Sequence, residues 1–457
     1  MKIENPADQS SREAMRIVIV AACPFPANHG TPAAIRLLAI NLAELGHDVH
    51  LVTYPQKDES LSTKGLKIHR VSIPFLKANH IAIGPSYRRL LYDFMIIFKL
   101  IKIIKNYDIQ VIHAHNYEST IAAAIAKRVT GTPLIYNGVN SMADELASYD
   151  FIKPRKLAHF LGKLLDYIVP RTGDIITTLS DELKDYLQSL GIKEKRIIVI
   201  PPGVEIEIFD HGDGDRIRKL HGLSNAPIVM YTGAMEAFQR IDYLLFAMQE
   251  VIKAQPAAKL LMVGNIRNTS ATKKYTQMAK DLSIAENIIF IESVPLDQLA
   301  DYLAAANVAV VPRPNCPGYP IKLLNYMAAG KAIVTFKGSA KAIFHGYNGY
   351  IAEDHNYASL AKGISLLLQD TNLQTVLGDR AKQSLYGVFD WETLARGTEL
   401  LYRQVICNRR LLNKEAMGNY IKGSYLPQLT STAKLNKDFL QVGPIIYPSF
   451  SDMQQEL

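Results

Sequence analysis

The sequence predicts an α/β protein built of two doubly wound, parallel-sheet domains and a C-terminal extension. Apolar runs of strand length recur along the chain, helical stretches alternate with them, and the series starts twice, near Met15 and near Ala226. A length of 457 residues allows two or three domains at roughly 150 residues each. Hydrophobic residues at 48% and charged residues at 21% lie in the ordinary globular range, which excludes a disordered chain and a coiled coil.

The first series opens with MRIVIVAA from Met15, a continuous apolar run suited to a central parallel strand covered on both faces. After the loop CPFPANHGTP, the helical pattern AAIRLLAINLAELG ends at Gly46 as a C-cap, and HDVHLVTY makes the next strand. IQVIHAH, the helix TIAAAIAKRV capped by Gly131, and the strand PLIYNGV continue the alternation. GDIITTL follows, Ser180 and Asp181 cap a helix through Leu190, and RIIVIPPGV closes the series. This makes a first Rossmann-like domain over 15–205.

The second series runs PIVMYTG, IDYLLFAMQEVIKA, KLLMVGN, a helix near Lys273 to Ser283, NIIFIES, LDQLADYLAAA, VAVVPRP, KLLNYMAAG and KAIVTF. With the long amphipathic helix that begins at DWETLARGTELLYRQ, it makes a second Rossmann-like domain over 206–407. The stretch from Pro201 to Gly214, rich in Pro, Gly and Asp, reads as a hinge between two lobes that face a central cleft. Residues 1–14 read as a loose extension without a secretory signal, and residues 408–457 as a polar tail with no assigned role.

Cys23, Cys316 and Cys407 lie far apart, with neither metal spacing nor the density of a disulfide framework, which favours a cytoplasmic setting. The net charge of +8 favours anionic partners only weakly. The segment from Tyr87 to Tyr107 is the longest apolar run, but Asp93, Lys99, Lys102 and Lys105 interrupt it before the roughly 20 clean residues a bilayer span needs. Its cations and its aromatics Tyr92, Phe94 and Phe98 suit a surface helix resting on anionic lipid, with Lys153, Arg155, Lys156 and Lys163 as a further basic run. The competing reading is a sheet-packing helix with snorkelling lysines.

Several residues fall where ligands meet open α/β sheets, at the carboxyl ends of strands. Asn28-His29-Gly30-Thr31-Pro32 follows the first strand, and Gly30 lets backbone approach a substrate. The loop lacks the G-x-G-x-x-G fingerprint, so a nicotinamide oxidoreductase loses weight. His113-Ala114-His115-Asn116 ends another strand, and alternation places both imidazoles on one side, for contact with substrate or metal. Asp213-Gly214-Asp215 reads as a solvated turn rather than a metal motif. VPRPNCPGYPIKLLNYMAAG runs from a strand through a Pro/Gly loop into a helix opened by Pro320, a start suited to a diphosphate, with Arg313 and Lys322 adding charge.

Together these pieces, their order and their spacing from about Met15 to Asn408, resemble the family 4 retaining glycosyltransferases of the GT-B fold. The resemblance implies transfer of a sugar from a nucleotide-diphosphate donor, bound by the second domain, to a glycan, lipid-linked or other hydroxyl acceptor on the first. It implies that Gly30 approaches the donor phosphates and that His115 faces the donor sugar. Gly233 would begin the donor phosphate loop, Val294 would lie where backbone reads the base, and Asn325 would hold the ribose. Gln239, Arg240, Gly264, Arg313, Gly318 and Tyr319 complete the expected donor site around the catalytic Lys322. His29, Thr31, Asn116 and Asn140 are expected on the acceptor side.

The chain also departs from that pattern. Two glutamates eight positions apart are usual, whereas Pro317 and Asn325 stand here, and the clamping Arg and Lys after Gly233 are replaced by Ala234 and Gln239. Arg240, Lys322 and Arg313 are therefore expected to supply the missing charge. No pair of glycosidase-type carboxylates is visible. The expectation is a metal-independent hexosyltransferase with no cofactor beyond its nucleotide-sugar co-substrate, no nucleic-acid partner, and peripheral contact with the cytoplasmic face of a membrane. A non-catalytic homologue that only binds a nucleotide sugar, and a nucleotide-sugar epimerase, are the alternatives.

Overall fold

A computed structural model describes residues 13–27, 30–55, 61–73, 87–148, 152–264, 269–292, 294–316 and 319–407. The expected N-terminal extension and C-terminal tail, together with His29, Pro317 and Gly318, lie outside these residues or almost wholly so. The chain divides into two compact units, 1–202 with 391–414, and 203–390 with 415–457.

The first unit is a seven-stranded parallel sheet in the order β3-β2-β1-β4-β5-β6-β7. Its chain order is β1 (Arg16–Ala21), α1 (Gly30–Glu44), β2 (Asp48–Thr53), β3 (Leu66–Arg70), α2 (Tyr87–Asn106), β4 (Val111–His115) and α3 (Asn116–Thr130). Then come β5 (Leu134–Gly138), α4 (Met142–Ser148), α5 (Arg155–Thr172), β6 (Ile175–Thr178), α6 (Asp181–Ser189) and β7 (Ile197–Val199). Ile17 to Ala21 are fully buried because helices cover both faces of the central strand, as its unbroken apolar run requires. Ser180 caps α6 through its hydroxyl, which accepts from Leu183 N, and Gly131 ends α3 in the left-handed region at φ 72°. The strand order reverses between β1 and β4, where Ala21 pairs in register with His115. That switch point is where an open sheet of this kind leaves a crevice for ligands.

The second unit holds α7 (Gly214–Leu220), β8 (Ile228–Thr232), α8 (Ile241–Ala254), β9 (Lys259–Val263), α9 (Thr269–Asp281), β10 (Ile288–Ile291) and α10 (Leu296–Ala305). It continues through β11 (Val308–Val311), α11 (Ile321–Ala328), β12 (Ala332–Phe336), β13 (Tyr350–Ala352), α12 (Tyr357–Gln369) and α13 (Thr371–Gln383). Its six parallel strands lie in the order β10-β9-β8-β11-β12-β13, and the reversal falls between β8 and β11. Core side chains alternate between its two faces: Met230 and Leu261 lie on one, Val229, Tyr231 and Leu260 on the other.

Three expectations are corrected. The long terminal helix, α14 (Trp391–Cys407), belongs to the first unit, not the second. It packs on α1, its Tyr402 hydroxyl meets His113 Nδ1 at 2.7 Å, and Glu399 lies 3.6 Å from His47. The stretch read as a hinge does hold the boundary between the units, at Pro202 and Gly203, but the rest of it is folded: a short 3-10 helix over Ile206–His211 packs on α10, and Gly212 touches Ala300 so closely that a Cβ would clash with its carbonyl. Asp213-Gly214-Asp215 is a helix start rather than a solvated turn, since the Asp213 carboxylate accepts from Arg216 N at 3.0 Å and caps α7.

Candidate functional site

Each unit gathers predicted residues at its own switch point. In the second unit β8 runs into Gly233, whose φ of 121° suits glycine, and Gly233 N donates to Val263 O at 2.9 Å. The glycine is also needed for space, because a Cβ there would lie 2.9 Å from Lys322 Nζ. Lys322 comes from the first turn of α11 and lays its ammonium over the glycine. Nζ donates to Tyr231 Oη at 2.8 Å and Gln239 Oε1 at 3.1 Å, and sits 4.0 Å from the centroid of the Tyr231 ring. Tyr231 in turn donates to Ala234 O at 2.5 Å.

Both partners of Lys322 are neutral, and no carboxylate pairs with it among the described residues. Burial therefore holds its ammonium well below the ordinary lysine range, and the Arg313 charge lowers it further. Arg313 lies just past β11, with Nε donating to Asn315 O at 2.7 Å and its guanidinium 4.8 Å above the Phe238 ring. Two cations thus act on one another beside a glycine turn. Pro320 caps α11 and offers no side-chain acceptor to the N–H groups of its first turn. The arrangement can receive an anion whose charge relieves the repulsion and returns the Lys322 proton affinity toward normal.

Arg240, the third expected cation, is differently placed. Its guanidinium forms a fork with the Asp242 carboxylate at 2.7 to 3.2 Å and stacks 3.9 Å over Tyr243. The hydrogen bonds it donates to Asp242 outweigh its partial burial and raise its pKa. Tyr326, which the sequence reading passed over, lies four residues beyond Lys322 and accepts from Thr232 N at 2.7 Å, tying α11 to the end of β8. Tyr231 was also passed over. Its signal was a phenol at a strand end two residues before the loop glycine. Of the other expected donor residues, Gly264 N donates to Ile291 O, Val294 packs against the core, Tyr319 lies 5.9 Å from the Phe389 ring, and Asn325 is half-buried on α11.

In the first unit β4 delivers His115 to the N-cap of α3, 5% exposed, with its ring 4.4 Å from that of His113. Burial, and then the His113 charge, holds His115 well below the ordinary imidazole range, and burial brings His113 down to about 3. Both are neutral near pH 7. The two rings nevertheless differ: His113 is engaged by Tyr402 through Nδ1, whereas no hydrogen bond holds the His115 ring; the Nε2 atoms of both rings are buried without a hydrogen-bond partner among the described residues. Gly30 opens α1 in the left-handed region at φ 62°, with Thr31 half-buried after it. Asn116 also has positive φ, at 67°, and its carbonyl accepts from Thr120 Oγ1. Asn140 is exposed, and its carbonyl accepts from Tyr117 Oη at 3.3 Å.

Two family models match the chain in succession, Glycosyltransferase Family 4 over residues 29–208 and Glycosyl transferases group 1 over residues 213–384. The chain belongs to the family 4 glycosyltransferases, and its two parallel-sheet domains have the GT-B fold. A D-inositol 3-phosphate glycosyltransferase of Acidothermus cellulolyticus is 27% identical over 313 residues, covering 66% of this chain and 68% of that protein. The sucrose-phosphate synthase structure from Thermosynechococcus elongatus superposes with a TM-score of 0.71 at 19% identity, over 86% of this chain and 99% of that one. Anabaena HepE in complex with UDP-glucose gives a TM-score of 0.66 at 16% identity, over 85% and 100%.

Proposed function

We propose that this glycosyltransferase is a retaining, metal-independent enzyme that moves a hexose from a nucleoside-diphosphate donor to a hydroxyl of a glycan or lipid-linked acceptor, in polysaccharide, glycolipid or glycoconjugate synthesis. The observation that carries the reading is the Lys322 ammonium laid over Gly233 without an acid partner among the described residues, beside Arg313 and the start of α11. Such a group meets the charge that grows on a departing diphosphate. Complexes of HepE with UDP and with UDP-glucose make uridine the first base to try.

In this reading Gly233, Gln239, Arg240, Gly264, Val294, Arg313, Tyr319 and Asn325 surround the donor, with Gly318, three residues before α11 in sequence, among them. Asn325 holds the ribose through its amide. Gly30 approaches the phosphates, and His115 accepts or donates one hydrogen bond to the donor sugar through its orphan Nε2. His29, Thr31, Asn116 and Asn140 line the acceptor. The leaving phosphate oxygen takes the acceptor proton, so no side-chain base is required. No cofactor takes part beyond the donor itself.

The test is a thermal-shift and turnover screen against UDP-, GDP- and ADP-sugars, with and without magnesium, following free nucleotide and intact sugar together. Stabilisation by one donor with release of its nucleotide, independent of magnesium, supports the proposal. Change of the sugar while it stays on the nucleotide would mark an epimerase. No stabilisation by any donor would overturn the donor reading and leave a non-catalytic homologue.

A further inference from the structure

Helices α2, α3 and α5 expose large apolar side chains that no element among the described residues covers. α3 packs against both α2 and α5, so the three form one layer. On α2 the stripe Leu91, Phe94 and Phe98 is exposed, the two phenylalanines at 57% and 54%, while Tyr92, Ile96 and Leu100 are buried against the sheet. On α3, Ile121, Ile125 and Val129 follow at helical spacing. On α5, Phe160 is 63% exposed and shares a stripe with Leu157, Leu164, Tyr167 and Ile168. Isolated exposed apolar residues are ordinary, but three adjacent stripes make a patch of the kind that marks an interaction surface.

The charge on this layer is one-sided. The three helices carry eleven Lys and Arg and three acids. Each acid is engaged. Asp93 accepts from Tyr54 Oη at 2.5 Å, Glu118 lies 3.6 Å from Arg89, and the fully buried Asp166 accepts from Met142 N, Ala143 N and Tyr186 Oη. The α5 stripe ends at Arg171, which lines an open cavity with Lys193, Lys195 and Arg196. The one acid there, Asp174, is already taken by Lys127 at 2.6 Å and Leu134 N at 2.8 Å.

We propose that the α2-α3-α5 face docks on a membrane surface rich in anionic phospholipid, its apolar stripes entering the headgroup region while the surrounding lysines and arginines meet the lipid phosphates. Among the described residues no helix is long and apolar enough to cross a membrane, so the contact is a surface one. A second copy fits the charge poorly, because a two-fold interface would set the same cationic patch against itself. The inference rests on the first unit alone and does not depend on the donor reading.

The full chain is sedimented with neutral phosphatidylcholine vesicles and with vesicles containing about 30% phosphatidylglycerol, at about 0.1 M and about 0.5 M salt. The expected result is recovery with the anionic vesicles at low salt and release at high salt. Phe94→Ser/Phe98→Ser/Phe160→Ser, and separately Lys102→Glu/Lys163→Glu, each lower the partition coefficient at least tenfold while the melting temperature and donor binding hold. Full recovery of the wild type in the supernatant with anionic vesicles would overturn the proposal, as would wild-type partitioning by both variants. Light scattering that shows a dimer converted to monomer by the triple variant, without vesicle binding, would assign the face to a second copy instead.

Discussion

Lys322→Ala tests the charge logic of the donor site most directly. The ammonium has only a phenol and an amide as side-chain partners among the described residues, at 2.8 and 3.1 Å, so its removal leaves no acid unpaired. A unit charge about 4 Å from a phosphate oxygen contributes about 4 kcal/mol at an effective dielectric of about 20. Arg313 shares that charge, so a loss of about 2 kcal/mol is expected, roughly 30-fold in donor affinity or turnover. The pH dependence has a definite sign. In the free protein burial and Arg313 hold the Lys322 pKa below normal, and a bound diphosphate raises it. Below the free-state pKa, affinity does not vary with pH. As pH rises through it, binding must take up a proton, and the logarithm of affinity falls with a slope approaching minus one until the bound-state pKa is reached. Calorimetry in buffers of different ionisation enthalpy counts that proton. A change of less than twofold in both affinity and turnover, or a slope that persists in Lys322→Met, would refute the reasoning.

Gly233→Ala should weaken donor binding about tenfold and cost about 1–2 kcal/mol in a denaturant melt, since φ is 121° and the new methyl meets Lys322 Nζ. His115→Ala should lower turnover about 100-fold while donor affinity changes less than about threefold, and wild-type activity should show no limb from His115 near neutral pH, because burial holds that imidazole well below its ordinary range. Tyr402→Phe should cost about 1–2 kcal/mol in a urea melt by leaving His113 Nδ1 unmatched in the core. For Glu399, burial raises the carboxyl, but the nearby His47 ring and the hydrogen bonds from Arg403 outweigh it and bring the pKa down to about 2. That depression contributes about 2–3 kcal/mol above the unfolded-state value, lost as pH falls from about 4.5 toward about 2, and Glu399→Gln should flatten this limb of an acid melt.

The alternation of the two series was legible because buried parallel strands are unbroken apolar runs. β1, β8 and α8 fall where the periodicity puts them. β3 and β13 were not legible. LKIHR at the sheet edge mixes charge with apolar residues, and YIA is only three residues long. α14 was misassigned because chain continuity ties it to the second unit, while its partners His47 and His113 lie about three hundred residues away. Periodicity shows that a helix has an apolar face, and it says nothing of which sheet or helix that face will cover.

The candidate site follows the same division. Gly233 and Lys322 could be picked out from a strand-glycine step and a proline-opened helix, but their contact required the geometry that lays one on the other. Arg240 shows the converse, since its position in sequence marked it as a clamp, and a carboxylate two residues on has taken its fork. A cation spent on Asp242 screens its own charge before any phosphate arrives, whereas one held by a phenol and an amide keeps its charge available. Asp242→Asn therefore discriminates between the two. If Arg240 is held only by its acid, releasing it should tighten donor binding severalfold, and if Lys322 and Arg313 already meet the diphosphate, affinity should stay within about twofold. The structure favours the second outcome, because the Tyr243 ring still holds the guanidinium at 3.9 Å once the carboxylate charge is gone.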